Sequence, residues 1–378
     1  MTAGPLARPF CFPVPLQRQR AAELRVITDH ESQAMSLALP RPFLPMEALS
    51  VDDIPEGADW QYEPKWDGFR CLVFRDGKKV ELQSKSGQSL TRYFPELVAA
   101  VGALKPSRFV LDGEIVVPDG RAFSFDALLQ RIHPAASRVK KLAQETPALL
   151  IVFDLLVDSD GTVLTKDLLP ARRKRLEAFA AKALRGQKSI RLSPATTKLA
   201  DAEKWLKQVG ATLDGIIAKR RDLPYQSGNR KGMVKIKNYR SADCVVGGFR
   251  YNEGKRTVGS LLLGLYDAQG LLDHVGFTSS IKSGDKAALT KKLEPLIAPP
   301  GFTGDKPGGP SRWSTRRSAQ WQPLKPSLVV EVCYDHFSGG RFRHGTRLMR
   351  WRPDKAPKQC TIDQVSRQKQ ANLMTLLK

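Results

Sequence analysis

Glu63-Pro64-Lys65-Trp66-Asp67-Gly68-Phe69-Arg70 is the stretch on which the reading of this chain turns. After Gly68 the residues alternate over Phe69–Arg75, turn at Asp76-Gly77 and return as Lys79–Ser84, which predicts a β-hairpin. Lys65 therefore stands where a loop enters a strand. A lysine becomes a nucleophile once its charge is removed, and a nearby cation such as Arg70 can push its pKa down. A surface lysine before an Asp-Gly turn would look the same, so the stretch takes its meaning from the rest of the chain.

Five further segments carry chemistry. Asp112-Gly113-Glu114 lies in the apolar strand Phe109–Val117, where a carboxylate can meet a ribose hydroxyl or a metal. Phe153-Asp154 falls inside the strongly apolar run Ala148–Val157; its ring can stack on a base or simply be core. Asp214 and Lys219 frame the apolar strand Asp214–Lys219. In Met233–Lys237, Lys235 and Lys237 point to one face and repel unless an anion sits between them, for which phosphate is the economical choice. Arg352-Pro353-Asp354-Lys355 alone is a charged turn.

Between these lie predicted helices over Pro95–Leu104, Ala171–Leu184 (with a basic face) and Ala200–Val209. Strands and helices mix without strict βαβ alternation, which predicts an α+β fold. From Tyr239 the pattern changes. Cys244–Phe249, Gly259–Tyr266, Leu271–Phe277 and Leu328–Tyr334 read as short strands, with one helix at Lys286–Leu296 and a long loop at Ala298–Pro326. That pattern suits a small OB-fold β-barrel. The expected division is 1–40 as a disordered leader (or a start at Met35 or Met46), 41–238 as a first domain and 239–378 as the barrel.

The 378 residues suit two domains with real cores, and their 41% hydrophobic and 26% charged content is globular. The unusual quantity is charge: 61 Lys plus Arg against 38 Asp plus Glu gives +23. Such an excess points to a polyanionic partner, nucleic acid, whose duplex carries one charge per roughly 1.7 Å. The basic loop Arg312–Arg317 and the helix residues Arg172–Arg175 are candidate backbone contacts. No apolar run is long enough for a membrane span. Five scattered cysteines without a C-x-x-C pair, and five histidines without ligand spacing, indicate a reduced, cytosolic protein.

In this order the segments resemble the six motifs of the covalent nucleotidyltransferase superfamily of DNA ligases, RNA ligases and capping enzymes. Tyr62–Arg70 resembles motif I, Leu111–Val117 motif III, Val152–Leu156 motif IIIa, Asp214–Lys219 motif IV, Met233–Lys237 motif V and Arg352–Lys355 motif VI. Leu82–Leu97 resembles the segment after motif I in ATP-dependent DNA ligases, and the wording is nearest the bacterial ligase C and ligase D group, the stand-alone ligase C type above all.

The resemblance implies an adenylation (nucleotidyltransferase) domain followed by an OB-fold domain. It implies ATP as cosubstrate, Mg²⁺ or Mn²⁺ as metal, and a cytoplasmic bacterial monomer acting on nicked double-stranded DNA, with a DNA-end-binding repair protein as an open further partner. Lys65 would be the nucleophile. Glu63, Arg70, Lys85, Glu114, Phe153 and Lys219 would meet the nucleotide, and Glu114 and Asp214 the metal. Lys235 and Lys237 would hold phosphate, and Arg352, Asp354 and Lys355 would orient the leaving pyrophosphate in a closed state. Two positions depart from the pattern: Asp214 stands where Glu is usual, and Lys85 where Arg is usual. An RNA-joining ligase, a GTP-dependent capping-type enzyme and a catalytically idle basic DNA-binding module are the rival readings.

Overall fold

The computed structural model describes residues 37–209, 213–308, 320–366 and 372–377. Most of the expected leader and the loop Arg312–Arg317 lie outside the described residues. The far end of that leader is corrected: Leu37 and Leu39 are buried in one apolar cluster with Leu72 and Phe74. Two leucines in a Pro-rich run have no helical or strand period, so only their burial shows that they belong to the packed chain.

The first region runs β1 (Leu49–Val51), β2 (Trp60–Pro64), β3 (Phe69–Asp76), β4 (Lys79–Ser84), α1 (Pro95–Gly102), β5 (Arg108–Val116), β6 (Pro118–Asp119), β7 (Ala122–Phe123), α2 (Phe125–Gln130), α3 (Ala136–Glu145), β8 (Leu149–Val157), α4 (Leu169–Ala183), β9 (Ile190–Leu192), α5 (Leu199–Val209), β10 (Gly215–Arg220) and β11 (Met233–Lys237). Two sheets result, in the orders β4-β3-β5-β8-β9 and β1-β11-β10-β2. Strand β8 shows why they stack. Its residues are apolar except Asp154, and all are buried, as befits a strand covered on both faces. Leu150 and Val152 join the core under α1 and α4. Leu149, Ile151 and Phe153 face the other way, into a second core shared with Tyr62, Ile216 and Ile236 of the other sheet. Phe153 thus reaches the space between the sheets by the two-residue period alone.

Helix α4 corrects a second expectation. Arg172 is 1% exposed and Arg173 8%, so neither is a backbone contact for nucleic acid. Arg172 forks onto the buried Asp154 at 3.0 and 3.1 Å, and Arg173 binds Glu177 and the carbonyl of Ser193. Arg172 is turned inward because β8 carries a carboxylate in its middle that needs a partner, whereas Lys174 stays exposed and the half-exposed Arg175 pairs with Asp158 and Asp160.

Asn238 and Tyr239 lead into β12 (Arg240–Tyr251), β13 (Val258–Tyr266), β14 (Leu272–Thr278), α6 (Lys286–Leu293), β15 (Gln322–Pro323), β16 (Val329–Tyr334), β17 (Phe337–Ser338), β18 (Arg341–Phe342), β19 (Arg347–Trp351) and α7 (Asp363–Ser366). The sheet order is β14-β13-β12-β16-β19, with β15 on β12. A bridge between Thr278 and Thr346 joins the outer strands and closes the sheet into a barrel, the OB fold. Strand β12 is twice its expected length because its first residues, Arg240–Asp243, pair with β16; their polar side chains hid the extension. The chain's end departs from the expected division. Leu373, 2% exposed, leaves the barrel and joins the core between the two sheets of the first region.

Candidate active site

Three strands bring the motif residues together. Lys65 follows β2, which pairs with β10, and its N–H donates to the carbonyl of Gly215 at 2.9 Å. Both Asp-Gly pairs here need their glycine. A Cβ on Gly68 would stand 2.1 Å from the carbonyl oxygen of Ile115, and one on Gly215, whose φ is +145°, 1.9 Å from that of Ile236. The close approach places Asp214 against Lys65 in an ion pair. Burial works to raise the Asp214 carboxyl, but hydrogen bonding to His336 and the charge of Lys65 outweigh it and hold it well below the usual carboxylate range.

Behind Lys65 opens a cleft of about 710 Å³ between the two sheets, lined in part by Glu63, Arg70, Lys85, Glu114, Phe153, Lys219 and Lys235. Five basic and three acidic side chains in the lining make it a receptor for an anion. Phe153 lies at the back, with the guanidinium of Arg70 at 4.6 Å and the ammonium of Lys219 at 4.7 Å from its ring centre. Lys219 and Glu63, both buried, pair at 2.8 Å, and Glu63 accepts from Gln61 at 2.9 Å.

Arg70 forks onto the fully buried Asp112 at 2.6 Å through both nitrogens, and Asp112 also accepts from the Tyr225 hydroxyl. Its charge is therefore countered at close range by Asp112. Lys235, by contrast, forms no ion pair among the described residues. Burial first, then Lys65, Lys237 and Lys85, press its pKa down, the like-charge crowding foreseen for a phosphate site. Glu114 is pushed up to about 7 by burial, only partly offset by Arg70 and Lys65. Among the described residues it forms no ion pair.

The barrel supplies the other wall. A second cleft, on the far side of Lys65, is lined by Asp67, Phe125, His336 and Arg343, with Lys65 between the two. Arg343 forks onto Asp67 at 2.6 and 2.7 Å, and His336 bonds Asp214. Asp335 takes Lys237 at 2.7 Å; burial opposes its ionisation, but His344 and Lys237 hold its carboxyl far below the ordinary range. The structure thus separates Lys237, engaged by the barrel, from Lys235 in the cleft.

Arg352, Asp354 and Lys355 stand apart from both clefts. Arg352 binds Asp354 at 2.8 Å and Asp243 at 2.9 Å, and Lys355 binds Asp243 at 3.3 Å, all on the barrel. The expected carboxylate pair is also divided: Glu114 lines the nucleotide-sized cleft, whereas Asp214 groups with Asp67 and His336, whose ligand atoms lie within 4.8 Å of one another. Asp67, Asp335, His336 and Arg343 escaped the sequence reading. Phe337-Ser338-Gly339-Gly340-Arg341-Phe342 carried a usable signal for the barrel residues, since two glycines at φ +55° and +75° make the tight hairpin β17–β18, with His336 and Arg343 at its two ends.

A lysine set between an anion-binding cleft and an OB barrel defines a nucleotidyltransferase that works on a polyanionic second substrate. The chain belongs to the ATP-dependent DNA ligase family. Residues 45–237 match the ATP dependent DNA ligase domain and residues 254–355 the ATP dependent DNA ligase C terminal region. The chain is 42% identical to DNA ligase C of Mycobacterium tuberculosis over 347 residues, covering 88% of this chain and 96% of that protein. It is 44% identical to DNA ligase C2 of Mycolicibacterium smegmatis with the same coverage. It also matches the M. tuberculosis multifunctional non-homologous end joining DNA repair protein LigD at 32% identity, over 80% of this chain and 37% of that protein. A solved Lig E DNA ligase shares the fold, with a TM-score of 0.52 at 15% identity over 82% of this chain and all of that one.

Proposed function

We propose that the chain seals nicks in duplex DNA through an adenylate carried on Lys65. The observation that carries the reading is the position of Lys65, at the mouth of a cation-lined cleft and in contact with Asp214. Its ammonium first leaves Asp214 and gives up a proton to solvent water, to which Lys65 is partly exposed. The free amine then attacks the α-phosphorus of ATP, forming an N–P bond as the bond to pyrophosphate breaks. The 5′-phosphate at a nick next displaces Lys65 from AMP, and the 3′-hydroxyl displaces AMP and closes the strand. Each step is an in-line attack at phosphorus, so the residues act by positioning and by neutralising charge.

Phe153 offers the base a ring at the back of the cleft, and Glu63, fixed by Lys219, meets the base edge. Arg70, Lys85 and Lys235 face the phosphates, with Lys237 joining once released by Asp335. Glu114, a carboxylate in the cleft with no ion pair among the described residues, fits a divalent cation. Such a cation, Mg²⁺ or Mn²⁺, would offset phosphate charge there; Asp214 and Asp67 form the second acidic group. Arg352, Asp354 and Lys355 act on pyrophosphate only after the barrel turns. The domains divide at residues 238–239. The DNA substrate is a nicked duplex, and a role in end joining is the pathway that the LigD likeness favours. No helix among the described residues is long and apolar enough to cross a membrane.

The test is incubation with α-labelled ATP and Mg²⁺ followed by denaturing electrophoresis. Label stays on the wild-type chain and is lost in Lys65→Ala. A folded, initially unadenylated wild-type chain that takes no label would overturn the assignment.

A further inference from the structure

The end of the chain does not stay with the barrel to which it is joined. Helix α7 belongs to the barrel, with Val365 in its core. By Leu373 the chain lies on the other domain. The Leu373 N–H donates to the carbonyl of Arg121 at 2.8 Å, and its side chain is buried in the cluster that holds Tyr62 and Trp66, on either side of Lys65 in the motif. Met374, Leu376 and Leu377 pack against the same cluster. The turn is held locally as well: Asn372 Oδ1 accepts from the Met374 N–H at 3.1 Å, and Thr375 Oγ1 donates to the Asn372 carbonyl at 2.6 Å. Leu373 also lines the cleft between the domains, with Lys65, Asp67, His336 and Arg343.

We propose that Leu373–Leu377 is a strap, a positioning element that clips the barrel in the arrangement used on DNA and opposes the one used on ATP. In the arrangement seen, the barrel's Asp335 engages Lys237, and Arg352, Asp354 and Lys355 are paired on the barrel and do not line the nucleotide cleft. Bringing those three residues to the cleft requires the barrel to turn. The seven residue steps from Ser366 to Leu373 span at most about 25 Å when extended, so a large turn must draw the strap off its seat. Exposing its apolar residues disfavours that turn, and burial of one leucine alone suffices to bias two arrangements by about tenfold. The inference rests on the roles proposed above for Lys65 and Arg352–Lys355.

The experiment compares the full chain with one ending at Ala371, and with Leu373→Asp and Leu373→Met, in two assays. One is the rate of covalent labelling by α-labelled ATP; the other is the rate of sealing a nicked duplex that already carries AMP on its 5′-phosphate. Expected is labelling unchanged or faster in the shortened chain and Leu373→Asp, sealing of the pre-adenylated nick about tenfold slower, and both rates restored in Leu373→Met. Equal rates in both assays would overturn the strap, as would equal losses in both with a lowered Tm, which would make the segment mere packing. A wild-type chain that takes no label fails the Lys65 reading instead, so the two failures are distinguishable.

Discussion

Arg172 and Lys85 show how differently two basic residues of one chain are used. Arg172 is enclosed, and Asp154, 2% exposed, has it as its ion-pair partner. Arg172→Met leaves that carboxylate buried without a cation, and the unfolding free energy should fall by about 3–5 kcal/mol, read by denaturant titration. The salt slope of DNA binding should stay where it was, whereas a lost phosphate contact would reduce it by about one. The Lys85 side chain is 57% exposed, and its ion-pair partner among the described residues is Glu47, at 3.3 Å. Arginine there adds a planar fork suited to phosphate. Lys85→Arg should keep or raise the rate of nick sealing, and a clear loss would remove Lys85 from the nick contacts. Sequence placed Arg172 among surface contacts to nucleic acid because composition counts charges without counting their partners.

Among the elements, long apolar or alternating runs were legible and short polar ones were not. Strand β8 and the β3–β4 hairpin stand within a residue or two of where periodicity puts them. Strand β19 sets its apolar Leu348 and Trp351 beside exposed Arg347 and Arg350, and each strand of the β17–β18 hairpin is only two residues long, too short to show a period. The close approach of β10 to β11 is sharper still, because it depends on one missing atom. Gly215→Ala puts a methyl into the Ile236 carbonyl and forces a positive φ on alanine. It should cost about 3 kcal/mol or more and shift Asp214 away from Lys65. Measured together, Tm and the adenylation rate should both drop; a variant with normal Tm and normal labelling would refute this account of the strand.

For the whole molecule the governing quantities are charge and the docking of the barrel. With an excess of +23, binding to a nicked duplex should release counterions. For about six phosphate contacts the affinity should fall about a thousandfold between 50 and 200 mM salt. A flat salt response in a binding titration would refute the electrostatic account. The docked barrel engages Asp67, Asp214 and Lys237 through Arg343, His336 and Asp335. All three are paired before any substrate arrives, so Lys237 can serve a phosphate only after Asp335 releases it.

From sequence alone came the main strands and the class of partner, because period, turn chemistry and net charge are properties of neighbouring residues; the order of the motifs and the lysine proposed as nucleophile came through the family resemblance. The partners of each charge were decided only in three dimensions. Arg70 belongs to Asp112, Arg172 to Asp154 and Lys237 to Asp335, separated by 42, 18 and 98 residues. No local pattern records such a pairing, since an ion pair needs proximity and burial, and both arise only when distant strands pack.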